Sequence, residues 1–201
     1  MRSSLIILSF FALGVLIGLF RFVPDMLIHN DYSQWALYAL MFLVGIGIGA
    51  DPNALTALKG HNMKILLVPT ITIIGTTLGV SLVYFLLFND KFTDVLAVGY
   101  GFGYYSLSSI FITELRGEEL GVVALLSNVM REILTLIFAP LLAVYFGKLA
   151  PIASAGATSM DTTLPIISRA SGKDYAIISL FHGVVLTILV PFLVTLILSI
   201  T

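Results

Sequence analysis

The stretch LLSNVMREILTLI, Leu125 to Ile137, has the composition of the middle of a long apolar helix, yet Arg131 and Glu132 stand side by side inside it. A charge at the centre of a bilayer costs about 2.5–3.5 kcal/mol on insertion scales. Such groups face a bundle interior or a wet cavity and mark the path of an ion, a proton or a substrate. Asp161, in GATSMDTTLP, is a third ionisable group at such a position, and His182, in the last apolar stretch, is a fourth candidate. Asn128, Arg131, Glu132 and Thr135 recur at three- and four-residue spacing and so share one helix face. Neighbouring residues diverge by about 100° around a helix, so Arg131 and Glu132 can address different partners. Two carboxylates and one guanidinium leave one negative charge over, which invites a proton or a cationic ligand.

Each group also has a plainer reading. Arg131 would serve as a structural ion pair or as hydrogen-bond glue between helices. Asp161, flanked by Thr158, Ser159, Thr162 and Thr163, would cap the half-helix after it. His182 would be a hydrogen-bonded packing residue. Tyr100, Tyr104 and Tyr105 either line a cavity or are interfacial aromatics, and Asp25, Asp31, Asp90 and Asp94 are most simply solvated loop charges.

The elements that must hold these residues are set by composition. Of 201 residues, 59% are hydrophobic and 10% charged, with mean hydropathy +1.08. Soluble domains carry about 25% charged residues. The chain is therefore an integral membrane protein of all-α, polytopic class. A net charge of -1 excludes a strongly basic nucleic-acid binder. Without cysteine there is neither a disulfide framework nor a thiolate metal site. No phosphate-binding loop is present, so nucleotide hydrolysis on this chain drives nothing; no cofactor is expected.

Five stretches are long enough to span a core of about 30 Å: about 4–22, 34–50, 63–88, 119–147 and 174–199. The first resembles a signal peptide, but no small-x-small cleavage site closes it, so it is expected to be a retained span. The glycine pairs Gly14/Gly18 and Gly75/Gly79 have the spacing of close helix contacts. ADPNALTALKG, Ala50 to Gly60, has the capping pattern of a short interfacial helix.

Two segments break this pattern: Val95 to Thr113 and Leu149 to Ser168. Both are too apolar for aqueous loops and too rich in Gly, Ser, Thr and Pro for lipid-facing helices. Non-helical backbone at membrane depth survives only where protein buries it or it lines a wet cavity. They are expected to be re-entrant hairpins or broken helices. They also head an internal repeat, 95–147 and 149–201: Ser106, Ser108 and Ser109 correspond to Ser159, Asp161 and Thr162, Arg116 to Arg169, Ser127 and Thr135 to Ser179 and Thr187, and Pro140 to Pro191. Residues 95–201 would then form a transport core, preceded by a three-span region over 1–94. Paired interrupted segments in two halves point to a transporter's binding site.

Lys59 and Lys64 place their loop in the cytoplasm by the positive-inside rule, and with it the N-terminus. If both irregular segments are re-entrant, Lys148, Arg169 and Lys173 lie inside while Arg116, Glu114, Glu118 and Glu119 lie outside, and the repeats are inverted. If both span fully, Arg116 and Lys148 exchange sides. Either arrangement leaves the C-terminus outside.

Among rival functions, VGYG at Val98 to Gly101 is similar to a potassium selectivity filter, but the approach to it is too short for a pore helix. An intramembrane aspartyl protease needs a second deep Asp to partner Asp161. A serine mechanism needs a Ser beside His182.

The series GYGFGYYSLSSIFITELRG, ALLSNVMRE, GATSMDTTLPII and FHG, from about Gly99 to Pro191, resembles the lysine exporter (LysO) family. The resemblance implies export of L-lysine and its analogue thialysine from bacterial cells, re-entrant segments, and critical intramembrane acidic residues at Glu132 and Asp161. It also implies further N-terminal spans in longer members; either a separate small membrane subunit supplies them here or this form works without them. The mechanism expected is proton antiport in the cell membrane, with protons or substrate ammonium groups on Glu132 and Asp161. The α-carboxylate would lie on Arg131 or on the half-helix N-terminus after Asp161. Asn128, His182 and the hydroxyls of Ser106, Ser108, Ser109, Ser159, Thr162 and Thr163 complete the expected site. Export of another amino acid or small cation, with Na⁺ as the coupling ion, is the alternative.

Overall fold

The computed structural model describes residues 63–87 and 91–200, with isolated helical positions nearer the N-terminus. The chain divides into a unit over Met1–Leu40 and a unit over Met41–Thr201, and every element from residue 63 onward belongs to the second. Apart from those isolated positions, the expected spans at 4–22 and 34–50, the Gly14/Gly18 pair and the interfacial helix at 50–60 lie outside the described residues, as do Asp25, Asp31 and Asp90.

Every described element is helical. A 3₁₀ turn, Met63–Leu66, leads into α1, Leu67–Leu87. Then come α2, Phe92–Gly99, α3, Tyr105–Arg116, and α4, Glu118–Tyr145. Helix α5, Ala150–Ala155, runs into a 3₁₀ turn, Gly156–Met160, and α6 is Leu164–Ser171. A last 3₁₀ turn, Lys173–Tyr175, precedes α7, Ala176–Ser199. Three helical stretches, Leu67–Leu86, Glu118–Tyr145 and Lys173–Ser199, are long and apolar enough to cross a membrane. They match the expected spans at 63–88, 119–147 and 174–199. Gly117, φ 98°, stands immediately before helix α4, which carries Glu118 and Glu119 in its first turn, where negative charge complements the helix dipole.

The two irregular segments each become two short helices joined by a turn. In the first, α2 and α3 flank Tyr100–Tyr104, with Phe102 at φ 46° and Gly103 at φ 86°. Asp94, in the first turn of α2, meets Arg116, the last residue of α3, at 3.0 Å. The two ends of the segment therefore lie side by side, and α2–α3 is a hairpin. Asp94 is thus not a solvated loop charge: it is helical and ion-paired. In the second segment α5 and α6 flank residues 156–163, and Lys148 Nζ donates to the Ala170 carbonyl at 3.1 Å, closing the base in the same way.

The turns of the two hairpins touch. Ala157 N donates to Phe102 O at 2.8 Å. A Cβ on Gly156, φ 66°, would collide with that same carbonyl, and one on Gly103 would lie 3.0 Å from Ala155 O. Helix α4 runs from the base of the first hairpin to the base of the second, and α7 returns, its Leu198 carbonyl accepting from Arg116 Nη2 at 2.8 Å. Around the contact, Phe102, Ile112, Ala97 and Ala124 pack with Ala157, Leu186, Val190 and Val194. Helix α7 is the most buried of the three long helices and α1 the most exposed.

The Ser106–Ser109 and Ser159–Thr162 stretches correspond in order but not in conformation: the first opens α3, while the second is 3₁₀ and turn before α6. Gly75 and Gly79 face open space, with no described atom within 4 Å of an added Cβ, so their spacing marks no close helix contact among the described residues.

This packing separates glycines by consequence. Gly156→Ala forces a Cβ into a carbonyl at a positive φ and is expected to destabilise by about 1–3 kcal/mol. Gly75→Ala, in open space within a helix, is expected to be neutral or stabilising by up to about 1 kcal/mol. Thermal unfolding of both variants in detergent checks the contrast.

Candidate functional site

One face of α4 holds both hairpins. Asn128 is buried: its Oδ1 accepts from Gly103 N at 2.7 Å, and its Nδ2 donates to Val98 O at 3.1 Å and to Ala124 O at 2.9 Å. It fills the hydrogen-bonding groups that the first turn exposes when it leaves the helix. The Val98 carbonyl of VGYG is therefore turned to the protein rather than to an ion. One turn further on, Arg131 Nε donates to Ser154 O at 2.9 Å and its Nη2 to Ala153 O at 3.1 Å. These are carbonyls of the last turn of α5, which have no partner within the helix and where positive charge is favourable. The same guanidinium lies 5.6 Å from the centroid of the Phe102 ring, within cation–π range. Thr135 Oγ1 adds a bond to Ser154 Oγ at 2.7 Å.

Helix α7 grips the second hairpin from the other side. Ser179 Oγ donates to Ser159 O at 2.7 Å and Ser159 Oγ donates back to Ser179 O at 2.9 Å. His182, fully buried, has Ser159 Oγ 3.1 Å from Nδ1 and Thr72 Oγ1 of α1 3.0 Å from Nε2. A neutral imidazole meets this pair with one donor and one acceptor nitrogen. A Ser does lie beside His182, as a serine mechanism requires. Yet Ser159 is 0% exposed, its hydroxyl is held by Ser179, and a threonine stands where an orienting carboxylate would be. No substrate carbonyl can reach it. Gly183 allows the close fit, since a Cβ there would lie 2.6 Å from Met160 Cβ.

The remaining site candidates divide into closed and open. Ser108 and Ser109 are buried and bond to carbonyls of Tyr104 and Ser106, and Thr163 Oγ1 donates to Thr158 O at 2.8 Å. These three hydroxyls satisfy their own turns. Asp161, Thr162 and Ser106 are exposed and Glu132 is half-buried. Asp161 Oδ1 accepts from Thr162 N at 2.6 Å. Asp161 does not cap α6: the residue before that helix is Thr163, which makes no side-chain cap bond. The amides of Thr163 and Leu164 already bond to Thr158 O and Asp161 O, and Pro165 has none. Those two donors at the start of the half-helix expected to take a carboxylate are therefore occupied. Asp161 lies within electrostatic reach of the Tyr104 hydroxyl of the first hairpin. Among the described residues neither Asp161 nor Glu132 is ion-paired.

Three contributors carried no signal of their own in the sequence: Thr72, Ser154 and Phe102. A threonine in α1 gives no sign that it faces a histidine 110 residues away. Tyr100, expected either to line a cavity or to be an interfacial aromatic, stacks on Phe102 at 5.6 Å and bonds to Thr77 at 3.0 Å.

Asn128→Ala is expected to leave the Gly103 amide unpaired in the interior and to cost about 1–3 kcal/mol. The loss would appear as a lowered unfolding temperature and as faster amide exchange at residues 98–103, with exchange at the α5–α6 turn less affected.

A family model described as Lysine exporter LysO matches residues 8–198. The Lysine exporter LysO of Escherichia coli K12 is 31% identical over 165 residues, covering 82% of this chain and 54% of the relative. A candidate lysine exporter of Haemophilus influenzae is 32% identical over 164 residues, covering 82% of this chain and 83% of the relative. The chain thus spans about half the length of the Escherichia coli relative. No solved structure matches. With a match over nearly its whole length and the two hairpins built on those motifs, the chain belongs to the lysine exporter LysO family.

Proposed function

We propose that this chain exports L-lysine, and analogues such as thialysine, across the cell membrane in exchange for protons. The observation that carries the reading is Asp161: an exposed carboxylate on the turn of one hairpin, without a cationic partner among the described residues. The family's name supplies the substrate class.

In this reading Asp161 and Glu132 hold protons or the substrate's ammonium groups in turn. Arg131 has two of its five donors on α5 carbonyls; the others offer the α-carboxylate a seat. Thr162 and Ser106, both exposed, add hydroxyls. Asn128, Ser108, Ser109, Ser159, Thr163 and His182 hold the turns in place and act on the substrate only through that geometry. Residues 95–201 form the transport core and residues 1–94 the region that carries it.

The hairpins are re-entrant and the repeats inverted. Closed bases at Asp94–Arg116 and Lys148–Ala170 support this, with a 28-residue helix running from one base to the other. Such a helix is about 42 Å long, enough to cross the core. The base carrying Lys148, Arg169 and Lys173 is cytoplasmic by the positive-inside rule, which puts the N-terminus inside and the C-terminus outside. Alternating access is a rocking of one repeat against the other about the touching turns.

The test is uptake of labelled lysine into inverted vesicles under an imposed pH gradient. Accumulation is expected to follow the gradient and to fall to background in Asp161→Asn and Glu132→Gln. Undiminished accumulation in both variants would remove the carboxylates from the mechanism. Accumulation that tracks Na⁺ rather than pH would replace the coupling ion.

A further inference from the structure

A cavity of about 860 Å³ opens at the base of the first hairpin, between α1, α2 and the N-terminal half of α4. This is within the size range of small-molecule sites, roughly 300–1,000 Å³. Four charged side chains line it: Lys91, Asp94, Arg116 and Glu119. Asp94 and Arg116 are already paired at 3.0 Å. Lys91 and Glu119 are exposed, and neither side chain has a hydrogen bond or ion pair to another described residue. They stand in one cavity, opposite in sign, and more than 4.0 Å apart since no ion pair joins them. The walls beside them are aliphatic, with Val80 and Val83 from α1 and Val123 from α4. Ser127 also lines the cavity, next in sequence to the Asn128 that holds the first turn.

These features select a ligand chemistry. With two cations and two anions, the lining as a whole favours neither a bare anion nor a bare cation. A ligand carrying both signs satisfies both free groups at once, with each contact a charge-assisted hydrogen bond. The aliphatic walls of the cavity suit a short methylene stem. We propose that this cavity is a second binding station for an aliphatic-stemmed amino acid that carries both signs of charge, lysine itself, with its carboxylate on Lys91 and one of its two ammonium groups on Glu119. The inference rests on the lysine-export reading and deepens it: in the re-entrant orientation this cavity lies on the outer side, where released substrate leaves. The headgroup of phosphatidylethanolamine also carries both signs of charge, and the experiment separates the two sources.

The experiment is equilibrium binding of labelled L-lysine to the full chain in detergent, with co-purified lipid extracted and identified from the same samples. Two sites per chain are expected. Asp161→Asn removes one, and the other weakens at least about tenfold in Lys91→Met or Glu119→Gln, the loss of one charge-assisted contact. The double reversal Lys91→Glu with Glu119→Lys is expected to recover it, because a ligand carrying both signs can turn around. Recovery also excludes misfolding as the cause of the single-variant losses. One site only, lost in Asp161→Asn and indifferent to Lys91 and Glu119, would overturn the second station and leave the export reading standing. One site that survives Asp161→Asn and is lost in Glu119→Gln would uphold the station and count against the central site. Phosphatidylethanolamine retained by the native chain and lost in Glu119→Gln, with no lysine bound in the cavity, would assign the cavity to lipid and overturn the proposal. No lysine binding at either place would overturn both.

Discussion

A backbone that leaves the helix in an apolar interior must find hydrogen-bond partners inside the protein, because apolar surroundings offer none. This chain does so at two places that touch, and much of its polar chemistry arises from that need. The first turn exposes the Gly103 amide and the Val98 carbonyl, and Asn128 meets both. The second comes after the short helix α5, whose last carbonyls receive Arg131. Both side chains project from α4, so one helix fixes the position of both turns. The turns then bond to each other through Ala157 and Phe102. Charge in the middle of an apolar helix is the consequence: a guanidinium is one of the few groups with donors enough to serve two carbonyls and still carry a field.

The polar groups accordingly divide by whether the protein already satisfies them. Buried hydroxyls at Ser108, Ser159 and Thr163, together with His182 and Asn128, have found partners. They stiffen the turns and leave little capacity for a ligand. Asp161 and Thr162, outside this network and exposed, keep theirs. A rigid frame carrying a few unsatisfied groups is the arrangement that pre-organises a site without unpaired burial.

The two halves share an architecture and differ in chemistry. Each places an irregular hairpin before a long helix with a buried threonine, Thr135 in one and Thr187 in the other, and an interior proline, Pro140 and Pro191. Yet α4 reaches its hairpins with long side chains, Asn128 and Arg131. Helix α7 instead lets the second turn lie directly on its backbone at Gly183. Both ways satisfy the turn; only the first brings a charge with it.

The sequence by itself determined the membrane class, the three long helices among the described residues and the position of both irregular segments. Apolar run length and the clustering of Gly, Ser and Pro are local properties, legible without a partner. It also singled out Arg131, Glu132 and Asp161, because a charge at depth is costly wherever it sits. What it could not supply was pairing. Helical spacing shows that Asn128 and Arg131 share a face, not that each holds a different turn. Asp94 looks solvated until Arg116, 22 residues on, folds back beside it. His182 looks equally suited to packing or to binding until Thr72 and Ser159 fill both its nitrogens. Only the tertiary structure decided which polar groups are satisfied and which are left open, because that depends on contacts between segments far apart in the chain.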